Sequence, residues 1–150
     1  MIYEINTVYS GKVKVQPRVE LYTVRDLLSG QLVPGLAVCL DEIGNPNKPF
    51  SIITTSFGEL IGLKNAAYID LNNCPFANQL FEKGIARDTG LKKTSGRCEY
   101  PLWIFNKDFL LEHGAENYQK YSDAYDEYMN PYTSETEETD ENQEIGGMKQ

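Results

Sequence analysis

Residues 65–105 constrain this chain more than any other part of it, because strand, helix-start, loop and strand signals follow one another there without interruption. Ala66-Ala67-Tyr68-Ile69-Asp70-Leu71 reads as a strand that delivers the chain to Asn72-Asn73-Cys74-Pro75. An Asn side chain accepts a hydrogen bond from an orphan backbone N–H, and Pro loses no bond that a first helical turn needs. A helix is therefore expected to begin here, with Phe76, Leu80 and Phe81 on one face and Lys83-Gly84 as its stop. Residues 85–99 then read as a basic loop carrying Arg87, Lys92, Lys93 and Arg97. It leads into a second strand, Tyr100-Pro101-Leu102-Trp103-Ile104-Phe105, whose Pro101 marks an edge or a strand start.

The N-terminal half carries period-two signals. Lys12 to Val15 and Val19 to Val24 alternate polar and apolar residues, with Pro17 between them as a bend or an edge. Residues 25–28 suit a short helical turn before Gly30. The apolar run Leu36-Ala37-Val38-Cys39-Leu40 ends in turn formers, and the β-branched run over residues 50–57 is expected to pair with it as a hairpin. Connected strands with short polar turns favour antiparallel order. The fold class expected is α+β, a small, mostly antiparallel sheet with two or three helices.

From residue 107 the character changes. A helix should start at Asp108 and be interrupted at Gly114. Beyond it Tyr118, Tyr121, Tyr125, Tyr128 and Tyr132 fall on one helical stripe, with Asp123, Asp126 and Glu127 off it. Such a stripe either docks on the sheet or stays partly exposed as an interface, since Tyr is enriched at binding hot spots. Residues 133–150 hold two large apolar side chains, Ile145 and Met148, too few to offset the entropy of ordering. The expected organisation is a single domain over residues 1–132 and a disordered acidic tail over 133–150.

Charge divides along the same boundary. Residues 1–107 carry twelve Lys and Arg against ten Asp and Glu, and residues 108–150 carry two against twelve, so the net charge of −8 lies almost wholly in the last third. Direct nucleic-acid binding is a poor fit, because a phosphate-binding face needs an excess of cations. The reverse arrangement fits better: an acidic surface entering a basic groove built for nucleic acid.

Several chemistries are argued against by spacing. Gly90-Leu91-Lys92-Lys93-Thr94 places Leu where a phosphate loop needs Lys directly after Gly, so the amine and loop amides would not converge. Lys92, Lys93 and Arg97 remain as an anion-binding cluster. Cys39, Cys74, Cys98 and His113 are scattered, with no C-x-x-C anchor for zinc, and no motif ties the sole histidine to a thiol. No catalytic residue, metal or cofactor is assigned. No apolar stretch is long enough to span a bilayer and no secretory signal is evident, so a cytoplasmic protein without membrane contact is expected.

Ala67-Tyr68-Ile69-Asp70, Asn72-Asn73-Cys74-Pro75, Thr89-Gly90, Ser95-Gly96 and Tyr100-Pro101-Leu102 resemble a family of small uncharacterised proteins carried on conjugative elements and plasmids of Gram-positive and other gut bacteria. The likeness covers about a quarter of the chain, and Phe76 and Phe105 keep its aromatic or apolar character. It implies a genetic setting rather than a reaction. Mobile elements carry small acidic anti-restriction and anti-CRISPR proteins, so the resemblance implies a non-enzymatic inhibitor of a host defence nuclease, an RNA-guided one among the candidates. The residues expected to meet the partner are Asp123, Asp126, Glu127, Glu135, Glu137, Glu138, Asp140 and Glu141, with Tyr125 and Tyr128 as anchors. Two other expectations stand beside it. One is an accessory protein of element transfer or maintenance that docks through the tyrosine stripe. The other is a nucleic-acid-modifying enzyme using Asp70, Cys74 and the 92–97 loop.

Overall fold

The computed structural model describes residues 1–26, 28–44 and 49–129. They form two four-stranded antiparallel sheets and three helices, an α+β fold. In chain order the elements are β1 (Tyr3–Thr7), β2 (Gly11–Arg25), β3 (Leu32–Glu42), β4 (Pro49–Ile52), β5 (Thr54–Thr55), β6 (Ala66–Ile69), α1 (Ala77–Phe81), β7 (Ala86–Ser95), β8 (Cys98–Phe105), α2 (Lys107–Gly114) and α3 (Glu116–Met129). The first sheet is a meander, β1-β2-β3-β4, and the second has the order β5-β6-β8-β7.

The expected hairpin between residues 36–40 and 50–57 forms only in part. β4 pairs with β3, Cys39 opposite Ile52 and Leu40 opposite Ser51. At Ile53 the segment changes sheets: its N–H donates to Val38 O at 3.1 Å, while its carbonyl accepts from Asp70 N at 2.9 Å. Ile53 is fully buried and both backbone groups are satisfied, one by each sheet. The Thr54 hydroxyl reinforces the crossover by accepting from Val38 N at 3.1 Å.

One strand reading changes. Lys12 to Val24 is one continuous strand, with Pro17 inside β2 and opposite Leu40. Proline is tolerated because β1 pairs no further than Val15, so one edge of β2 lies open at Pro17. The expected turn before Gly30 joins β2 to β3: Gly30 N donates to Asp26 O, the i→i+4 bond of a single helical turn, and Asp26 N donates to Gln31 O, both at 2.8 Å.

The largest correction concerns residues 85–99. The stretch read as a basic loop is a β-hairpin, β7 turning into β8 through Gly96 at φ +62°. A bulge between Asp88 and Lys92 interrupts the ladder, where Gly90 takes φ +85° and the Thr89 hydroxyl donates to Leu102 O at 2.8 Å. Lys92 and Lys93 look loop-like in composition, yet on an edge strand they discourage pairing with a foreign chain.

Asn72-Asn73-Cys74-Pro75 makes a turn instead of a helix cap. Asp70 organises it: its carboxylate accepts from Asn73 N at 3.2 Å and from Asn73 Nδ2 at 2.8 Å, and its carbonyl accepts from Cys74 N at 2.9 Å. Only after this turn does α1 run, one short helix starting at Ala77 with no side-chain cap. It ends where expected, Gly84 taking φ +84° as its N–H donates to Phe81 O at 2.9 Å. Its Gln79 side chain serves the open edge of β1, accepting from Asn6 N and donating to Asn6 O, both at 2.8 Å.

One hydrophobic cluster joins both sheets and all three helices. Trp103 and Phe105 from β8, Leu80 from α1, Phe109 and Leu110 from α2, Ile5 from β1, and Val15, Val19, Leu36, Val38 and Leu40 from β2 and β3 all lie in it. The expected break at Gly114 is sharp: Ala115 takes φ 46° and ψ −113°, separating α2 from α3. Gly114 is needed there, because a Cβ would lie 2.9 Å from Val19 Cβ.

Candidate partner-binding surface

The tyrosine stripe divides along α3. Tyr118, Tyr121 and Tyr125 are buried, while Tyr128 is half-buried. Their hydroxyls converge on the segment before β6: Tyr118 Oη donates to Asn65 Oδ1 at 2.9 Å, Tyr121 Oη accepts from Asn65 N at 2.9 Å, and Tyr125 Oη donates to Ile61 O at 3.3 Å. Burial raises the Tyr121 and Tyr125 phenols above their ordinary range, so both stay protonated. Tyr125 belongs to the core and is corrected as a partner anchor. Tyr128 keeps an exposed portion, and Tyr132 lies outside the described residues. An accessory protein docking through the whole stripe loses three of its tyrosines to the interior.

The acidic side of the same helix faces water. Asp123, Asp126 and Glu127 are all exposed. Asp126 is bound to Lys64 Nζ at 2.9 Å, and Asp123 accepts from Gln119 Nε2 at 3.1 Å, one turn earlier. Among the described residues neither Asp123 nor Glu127 joins an ion pair, which leaves those two carboxylates, one turn apart, uncompensated. Glu135, Glu137, Glu138, Asp140 and Glu141 lie outside the described residues.

The expected anion cluster is largely neutralised. Lys92 Nζ lies 3.1 Å from Glu99 across the hairpin, Lys93 pairs with Glu59, and the Lys93 ammonium sits 5.1 Å from the centre of the Phe57 ring. Arg97 stands exposed at the hairpin turn. Comparison with protein-family models, curated proteins and solved structures returns no match.

The groups named for an enzymatic alternative have structural partners. Cys74 is buried with its Sγ 3.1 Å from Ser51 Oγ and 3.4 Å from Ile52 O, and burial raises its thiol as it does that of Cys39. A thiol so placed is a poor thiolate nucleophile. Asp70 is committed to the Asn73 turn, as above. The His113 side chain is buried against Tyr3 and Phe109, ring centroids 6.3 Å and 4.8 Å away. Among the described residues no group of three or more His, Cys, Asp or Glu has metal-binding geometry. No helix among them is long and apolar enough to cross a membrane.

Two grooves lie near these helices. One, of about 460 Å³, runs beside the start of α2 and is lined by Lys83, Lys107 and Asp108 and by Glu112, which pairs with the Met1 ammonium. The other, of about 260 Å³, lies between the β2–β3 hairpin end and the last turns of α3, lined by Thr23, Leu32, Val33, Pro34, Ala124, Glu127 and Tyr128. Composition could not have revealed it. It exists because α3 crosses β2 and β3 and leaves Leu32 unburied beside Tyr128.

Proposed function

We propose that this chain is a non-enzymatic acidic inhibitor encoded on a mobile genetic element, and that it occupies the basic nucleic-acid groove of a defence nuclease of the RNA-guided type. One observation carries the reading: ten of the 22 carboxylates fall in residues 116–150 against two cations, on and after a helix most of whose tyrosine face is spent on the core. A helix whose tyrosines are packed inward presents its partner with charge. The resemblance of residues 67–105 to mobile-element proteins supports the genetic setting.

Such a field acts first on encounter. Steering by complementary charge raises association rates by about 10 to 10³ and fades as salt shortens the screening length to about 8 Å at 0.15 M. Desolvated contacts formed afterwards set the lifetime of the complex. Nuclease cleavage of DNA by a guide-loaded effector, titrated with this protein, is expected to reach an equimolar end point and to recover as salt rises. The variant with residues 133–150 removed should inhibit more weakly. Inhibition that continues at catalytic amounts of the protein, or that is indifferent to both salt and truncation, overturns the proposal.

A further inference from the structure

We infer that the groove between the β2–β3 hairpin end and the C-terminal turns of α3 docks a basic amphipathic segment of the partner, apolar side chains seated between Leu32 and Tyr128 and cations facing Glu127 and Asp123. The inference rests on the charge-led reading above and locates its contact. Leu32, in the groove lining, is 58% exposed; Leu28, in the turn before it, is 97% exposed, and Met129, which follows Tyr128 on α3, is 45% exposed. Pro34 and Ala124 floor the groove, and the half-buried Tyr128 ring walls it. Tyr128 is of a residue type enriched at binding hot spots.

Size and charge identify the occupant. A volume of about 260 Å³ is smaller than the roughly 300–1,000 Å³ of small-molecule sites, and suits individual side chains of a protein. Glu127 lines the groove and Asp123 lies one turn before it on α3, both outside any described ion pair. Arg25, opposite Leu32 in the hairpin, is exposed, and its guanidinium donates to Gly30 O at 2.6 Å across the turn. An apolar floor with an anionic rim fits a helix with leucine-like residues on one face and arginines beside them. An acidic peptide would meet like charge, and a wholly polar cationic loop would leave the floor wet.

Binding is measured with two synthetic peptides of equal positive charge, a helical one of leucine and arginine and one in which every leucine is replaced by serine. The intact protein should prefer the leucine peptide by about tenfold. Leu32→Ser with Met129→Ser should abolish that preference and leave the serine peptide unchanged; both positions are exposed, so circular dichroism and the unfolding midpoint should hold, and Leu91→Ser on β7 is the control. Equal binding of the two peptides by the intact protein, or a preference that survives the double substitution, overturns the docking surface. Asp123→Asn with Glu127→Gln should weaken both peptides together. If that variant binds both as the intact protein does while Leu32→Ser with Met129→Ser loses the preference, the groove stands and the charge-led reading of α3 falls.

Discussion

Asn65 shows how much a single residue can organise. It sits at φ 68°, a left-handed conformation that Asn tolerates better than most residues, and it joins three elements: N–H to Tyr121, side-chain oxygen to Tyr118, and carbonyl to Phe105 N at 2.8 Å. Asn65→Gly keeps the backbone and loses the acceptor for Tyr118, whereas Asn65→Ala loses the acceptor and adds left-handed strain of about 1 kcal/mol. Urea denaturation should therefore rank the variants wild type, Gly, Ala in falling stability. His113 makes a second prediction. Its side chain is 1% exposed and its Nε2 has no hydrogen-bond partner. Burial lowers its pKa from 6.5, opposed by Glu112, 3.8 Å away, and by the Pro17 backbone. A base with a depressed folded pKa is stabilising while neutral, so this contribution is full above pH 6.5 and is lost as pH falls from there toward the folded value. The urea midpoint of wild type should drop between pH 7.5 and 5.5, and His113→Leu should show less of that drop.

At the scale of elements, what was legible depended on whether local pattern and tertiary context agreed. The strand character of β2 was legible because Val13, Val15 and Val19 alternate with polar residues, whereas its pairing with β3 was not, since the 36–40 run matches residues 50–57 as well by local pattern. β1 carries the same alternation in Tyr3 and Ile5 but is only five residues long, too short for a period of two to stand out. β7 was missed for a physical reason: an edge strand that faces solvent has no need of alternation, and Arg87, Lys92 and Lys93 mimic a loop. The Asn-Asn-Cys-Pro stretch misled because Asp70, two residues upstream, takes the hydrogen bonds that an Asn cap would have made. Pairing between β2 and β3 is tightest where Tyr22 lies over Gly35. A Cβ on Gly35 would stand 2.3 Å from the Tyr22 ring. Gly35→Ala should cost about 1–3 kcal/mol by overpacking, and adding Tyr22→Ala should return part of that loss, a positive coupling readable in a double-mutant cycle.

For the molecule as a whole, the cluster of buried residues among those described runs from Tyr3 to Tyr125. Removal of residues 133–150 should leave the urea midpoint within about 0.5 kcal/mol of the intact chain, the range of changes that touch no packed feature; a larger loss would join that segment to the folded unit. The charge split, the antiparallel α+β class and the helical tyrosine stripe of α3 were determined by sequence, because each depends on counting or on a repeat that survives without knowledge of neighbours. Which tyrosines are interior, which lysines are already paired, and where an apolar floor meets free carboxylates were decided by tertiary structure. Those properties depend on distances between residues far apart in the chain: Tyr118 and Asn65, Lys93 and Glu59, Leu32 and Tyr128 are each brought together only when α3 and the β7–β8 hairpin settle against the sheets.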